Sequence, residues 1–170
     1  MTNVSLRRTA RLALVLLSVG FAAGCEDEAT TPAGGLPKNL APGIYSLFSV
    51  AGQGGGVATV QLHLERVQVP GKIASYQGEL TYDTGVLTLK EAELPEGVIG
   101  SAREISPGRV RFAGATPDGL EQLPALTMRF ARRGEIRRET FKLNIEEVAD
   151  EDFGDLTSKV SSGAPFFEAR

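Results

Sequence analysis

The stretch 73–89, IASYQGELTYDTGVLTL, constrains the fold more than any other part of the chain. Ala74, Tyr76, Gly78, Leu80 and Tyr82 fall on one side of an extended chain, and Ser75, Gln77, Glu79 and Thr81 on the other. That is the period of two of a half-buried strand. Asp83-Thr84-Gly85 breaks the run, because an Asp carboxylate takes backbone N–H groups just ahead of it and Gly tolerates positive φ. The chain reverses there, and a second strand starts at Val86. A strand with one apolar face needs a second layer to bury it, so the stretch predicts the centre of a β-sandwich.

The remaining chain repeats the pattern. From Ile44 onward short apolar runs recur roughly every ten to fifteen residues between Gly, Pro or Asp, and no segment holds a helical period beyond a turn or two. Predicted strands cover residues 44–50, 57–67, 73–82, 86–93 and 109–115, with a weaker strand or irregular arm over 98–105. Leu126, Met128 and Phe130 then alternate with polar residues on one strand, Phe141, Leu143 and Ile145 on the next, and 160–168 supplies a closing strand with Phe166 and Phe167 as apolar anchors. The predicted core is Leu62, Leu80, Leu89, Phe112, Leu126, Met128, Phe130, Phe141 and Leu143. Hydrophobic content of 42% with 20 Gly and 9 Pro fits one all-β domain with many turns.

Ahead of this domain, Arg7, Arg8 and Arg11 precede an apolar run that ends in Ala22-Ala23-Gly24-Cys25. Charge, apolar run and small residues in that order make residues 1–24 a secretory signal peptide. Gly24-Cys25 resembles a bacterial lipobox, which implies that the Cys25 thiol accepts diacylglycerol and becomes the membrane attachment. Two or three acyl chains suffice for a stable anchor, since each buried CH₂ contributes about 0.8 kcal/mol. Glu26 after the cysteine implies the outer membrane in a cell with two membranes. Residues 25–42 are the lipidated N-terminus and a flexible linker, rich in Pro, Gly, Ala and acid, with an r.m.s. reach of roughly 20 to 25 Å. The domain occupies 43–170.

Composition excludes several functions. The formal charge is -3, and without the three leader arginines 15 basic residues face 21 acidic ones, so nucleic acid is not the expected partner. Cys25 is the single cysteine and His63 the single histidine, which excludes an intramolecular disulfide and a thiolate cluster. His63 belongs to the outward row Gln61, His63, Glu65, opposite the inward Val60, Leu62 and Leu64, and reads as a surface residue. The glycine run 51–56 lacks the Lys-Ser/Thr ending of a phosphate loop and reads as a hairpin. Arg132, Arg133, Arg137 and Arg138 read as a charged hairpin turn between two strands. Asp150, Asp152 and Asp155 begin like a calcium loop, yet Gly154 stands where that pattern needs a ligand. The expectation is a carboxylate-lined surface loop and no cofactor, with calcium the alternative. No nucleophile stands beside a base, so no enzyme is expected.

L-x-Y-D-x-x-x-L at Leu80, Tyr82, Asp83 and Leu87, G-x-V-x-F from Gly108 to Phe112, and V-A-D at Val148 to Asp150 resemble, in order and spacing, a cohesin domain. The resemblance implies a jelly-roll-type antiparallel β-sandwich of about nine strands, related to carbohydrate-binding modules, and a protein partner. In cellulosomal cohesins an Asn and an Asp on the strand that Ile73 opens, with an acidic residue and a Gly after the Phe112 strand, grip the dockerin. The positions here are Ser75, Gln77, Thr116 and Gly119, of which only Gly119 matches. Ser75, Gln77 and Glu79 form the outward row expected to meet the partner. The leading reading is therefore a lipid-anchored, non-catalytic docking or adhesion module of the cell envelope. Polysaccharide binding is the alternative, weakened by the lack of Trp and by the inward placement of Tyr76 and Tyr82. Replacing Cys25 by Ala should move the protein from the membrane fraction to the soluble one on cell fractionation; a variant that has lost its leader and still stays as membrane-bound as its parent rules out the lipid anchor.

Overall fold

The computed structural model describes residues 36–37, 39–51, 56–120, 123–162 and 166–169. The leader, Cys25, most of the linker, the centre of the glycine run and the side chains of Phe166 and Phe167 lie outside them. Nine strands are present among the described residues: β1 Gly43–Ala51, β2 Val57–Val67, β3 Ile73–Tyr82, β4 Leu87–Glu93, β5 Ile99–Ser106, β6 Arg109–Ala115, β7 Leu126–Arg132, β8 Phe141–Asp150 and β9 Phe166–Ala169. They form a five-stranded sheet in the order β4-β7-β2-β1-β9 and a four-stranded sheet in the order β5-β6-β3-β8. Every pairing is antiparallel except β1 with β9, which is parallel and follows a parallel bridge from Ile44 to Val160.

The two sheets bury their inner rows against each other. Val60, Leu62 and Leu64 from β2, Tyr76, Leu80 and Tyr82 from β3, Val110 and Phe112 from β6, Leu126, Met128 and Phe130 from β7, and Phe141 and Val148 from β8 are all buried. Rings bridge the layers: Phe48 of β1 lies 5.1 Å from Phe141 of β8, and Phe130 of β7 lies 5.0 Å from Tyr82 of β3 in an edge-on contact. Gly78 sits inward at the middle of β3 because a Cβ there would come within 2.9 Å of the Phe112 ring and 2.6 Å of the Asn144 carbonyl oxygen.

Two predicted core residues, Leu89 and Leu143, are only partly buried against this cluster. Both lie on edge strands, β4 and β8, where the facing layer runs out. Leu89 also adjoins a register shift opposite Phe130 and Arg129. A second bulge at Glu146, opposite the step from Gln77 to Gly78, switches the inward row of β8 from Ile145 to Val148.

Two of the expected reversals prove to be crossings between sheets. Asp83 does accept the Gly85 N–H at 2.8 Å, as the Asp-x-Gly pattern predicts, but β3 and β4 belong to opposite sheets and form no hairpin. Gly85 lies outside the positive-φ region; its place is explained by the Asp83 carboxylate, 3.1 Å from where its Cβ would stand. Likewise the segment holding Arg132, Arg133, Arg137 and Arg138 is not a hairpin turn. It carries the chain from β7 in one sheet to β8 in the other through a 3-10 turn over Arg138–Thr140, with Arg137 Nη2 2.6 Å from Glu135. Pro107-Gly108, by contrast, turns the chain directly between the paired strands β5 and β6, with Gly108 at φ 83°. The weaker arm is a full edge strand, β5, exposed along most of its length because it ends its sheet and pairs with β6 on one side.

Leu80 is fully buried at the centre of this sandwich. Leu80→Ala should lower the unfolding free energy by roughly 2 to 5 kcal/mol, read from urea denaturation; a loss well under 1 kcal/mol would contradict the placement of the Leu80 side chain between the two layers.

Candidate functional site

The outer face of the four-stranded sheet divides into two halves of different chemistry. At the end where β3 begins, Ser75 pairs with Ala115 of β6 and Ala149 of β8, and Gln77 with Ala113 and Glu147. On the other side of β6, Ile99 and Ser101 of β5 pair with Ala115 and Ala113. Opposed residues share a face of a sheet, so small alanines form a low strip between an Ile99 wall and a Gln77–Glu147 wall. The result is a shallow groove of about 250 Å³ lined by Ser75, Gln77, Ile99, Ala113, Ala115 and Glu147. Gln77 Nε2 donates to Glu147 at 2.9 Å, and Ile99 is 79% exposed.

The floor is set from inside. A Cβ on Gly114 would fall 2.5 Å from the Tyr76 hydroxyl oxygen, and one on Gly100 would fall 2.0 Å from the Ala113 carbonyl oxygen. Tyr76 is buried beneath, donating to the Ala125 carbonyl at 2.7 Å, and burial pushes its phenol well above the ordinary range. The phenol therefore stays protonated as a fixed donor.

The other half of the face is charged and carries two ion pairs. Arg109 binds Glu79 through Nε at 3.0 Å and Nη2 at 2.7 Å, and Arg111 binds Glu146 at 2.7 Å. The hydrogen bond from Arg109 holds the Glu79 carboxyl below the usual carboxylate range. Glu79 thus shares the face with Ser75 and Gln77 but belongs to an ion pair outside the groove. Thr116 and Gly119, the other two expected contacts, do not reach the face. Thr116 is buried and its N–H donates to the Ala74 carbonyl at 2.7 Å. Gly119, at φ 77°, lies under Lys72, whose Cβ is 2.7 Å from where a glycine Cβ would be. Ile99 and the alanine strip escaped sequence reasoning because their relevance comes from cross-strand pairing.

The acidic loop after β8 satisfies its own backbone. Asp150 Oδ1 accepts the N–H groups of Asp152 at 3.0 Å and Gly154 at 2.6 Å, and Asp155 Oδ1 that of Thr157 at 2.8 Å. The Thr157 hydroxyl and N–H lower the Asp155 pKa. Among the described residues no three His, Cys, Asp or Glu side chains converge as metal ligands would. Tyr76 and Tyr82 are both core residues, so neither ring is open to a sugar.

No family model matches the chain, and no curated protein matches it. Solved structures do. A cohesin module from a Clostridium perfringens family 33 glycoside hydrolase superposes with a TM-score of 0.54 at 17% identity, over 76% of this chain and 100% of that one. The sixth cohesin of Acetivibrio cellulolyticus scaffoldin B, solved in complex with a dockerin, gives 0.50 at 16% identity over 73% and 99%. A type I cohesin from Clostridium thermocellum, also solved with a dockerin, gives 0.50 at 16% over 74% and 94%. The domain is a cohesin-like β-sandwich.

The Arg109–Glu79 pair makes a pH prediction. A carboxyl with a depressed folded-state pKa contributes stability that is present above the unfolded value, about 4.3, and lost as pH falls through the folded one. The melting temperature of the parent should therefore exceed that of Glu79→Gln by a constant margin above about pH 5, with the margin vanishing in stronger acid. A small margin is expected for so exposed a pair. A margin that grows on acidification would contradict the pairing.

Proposed function

We propose that this protein is a non-catalytic docking module, tethered to the cell envelope through lipid at Cys25, that binds a protein partner on the outer face of its four-stranded sheet. The observation that carries the reading is the groove of small uncharged residues between Ile99 and the Gln77–Glu147 pair. It offers apolar contact and hydrogen bonds beside a charged half-face on which Arg109 and Arg111 are engaged by Glu79 and Glu146. Small neutral groups such as Ser75 and alanines cost little to desolvate, which suits association with another folded surface. Two of the structures with this fold were solved holding dockerins, which supports a protein as the occupant. The leader, acylated cysteine and linker would place the domain clear of the lipid headgroups, on the outer membrane of a cell that has two.

Ordinary dockerins are not the expected partner. Ser75 and Gln77 cannot reproduce charge-assisted hydrogen bonds, which are roughly twice as strong as neutral ones. Residues 33–170, which contain the whole described core, should capture an envelope protein that the Ser75→Arg, Gln77→Arg double variant no longer retains. Dockerins and insoluble polysaccharides, run alongside, should be captured poorly. Equal retention by both forms, or tight capture of cellulose or a standard dockerin, would overturn the assignment.

A further inference from the structure

Phe153 is the most exposed large apolar side chain among the described residues, at 93%. Its backbone lies at φ 63°, a left-handed conformation that is an outlier for a bulky residue. A turn requiring only this shape is better served by Gly, which adopts it freely and exposes no ring. Both the strain and the exposure argue for a use outside the folded chain itself.

The loop presents the ring on a firm base. Phe153 N–H donates to the Asp150 carbonyl at 3.1 Å, and Asp150 N–H to the Gly154 carbonyl at 3.0 Å. The Asp150 carboxylate takes two further N–H groups, and Glu151 accepts the Lys72 N–H, tying the loop to the turn before β3. Little ordering entropy remains to be lost when such a ring is bound. The loop also leaves β8 directly beyond Ala149, the residue paired with Ser75, and so stands at the rim of the groove end of the face.

We infer that Phe153 is the aromatic anchor of the docking site and inserts into an apolar pocket with a basic rim on the partner protein. The inference rests on the docking reading above and specifies the partner's chemistry. Glu151 and Asp152 precede the ring, and Glu147 faces the adjoining groove. A neutral or acidic rim would desolvate these carboxylates with only the hydrogen bonds from Gln77 and the Lys72 N–H to offset the cost, whereas Lys or Arg pairs with them. The same carboxylates repel an anionic lipid surface, which selects a protein over a membrane as the occupant.

The test places the photo-cross-linker benzoylphenylalanine at position 153, and separately at position 75, in the full chain in its native cells. The protein cross-linked is identified, purified and titrated against the parent, Phe153→Gly and the Ser75→Arg, Gln77→Arg double variant. One and the same protein should be captured from both positions. Phe153→Gly should weaken its binding roughly thirtyfold or more, as loss of an aromatic hot spot does, and parent affinity should fall with added salt. The melting temperature of Phe153→Gly should be no lower than the parent's, since Gly relieves the left-handed strain. Capture from 75 but not 153, binding untouched by Phe153→Gly, or a lowered melting temperature in that variant overturns the anchor and leaves the docking face standing. Capture from neither position overturns both.

Discussion

The structure depends on ring-to-ring contact between its layers. Phe130, from the five-stranded sheet, touches Tyr82 edge-on and lies 6.1 Å from Phe141, both from the four-stranded sheet, while Phe48, two strands over from Phe130, meets Phe141. Aromatic groups bury more area than any other side chain and prefer tilted or edge-on geometry. They therefore fix the spacing and relative offset of the sheets as well as supplying apolar burial. Once the inner rows are committed in this way, each strand's outer row is free to carry a different chemistry, and the two halves of the outer face use that freedom.

The groove is tied to the core through its floor. Tyr76 occupies the space that a side chain on Gly114 would need, and its hydroxyl is satisfied by Ala125 at the start of the opposite sheet. Gly100 lets β5 lie close against β6 at the same level. With Ala113 and Ala115 pointing out, the sheet is thin and low along this strip, and Ile99 stands above it. Shape at the site is thus set by packing beneath it, so a change at Gly114 or Tyr76 acts on the outer surface without being part of it.

Charge on the same face follows a different logic. Arg109 and Arg111 are neutralised by Glu79 and Glu146, while Arg103, opposite Arg111, and Lys142, opposite Thr81, stand exposed on the same half. The carboxylates without such partners gather at the opposite end, around the loop that carries Phe153. The face is polarised along the strands, and a partner lying across it meets neutral, then acidic and aromatic surface in a fixed order.

The strand boundaries and the inward rows were legible in the sequence, because a period of two and Gly or Pro turns are local properties of the chain. The spans Val57–Val67, Ile73–Tyr82 and Arg109–Ala115 follow directly from alternation. The sheet to which each strand belongs did not. Asp83 to Gly85 has the chemistry of a reversal whether the next strand pairs with the last or crosses to the other layer, and only the burial of Tyr82 and Leu87 on facing layers decides between them. The site divided in the same way. Ser75 and Gln77 were identifiable as an outward row, but Thr116 and Gly119 were buried by contacts with Ala74 and Lys72, residues distant in the chain. Ile99, Ala113 and Glu147 became neighbours of that row through strand pairing alone. A sequence determines which face of a strand a residue takes; the register between strands decides what it stands beside.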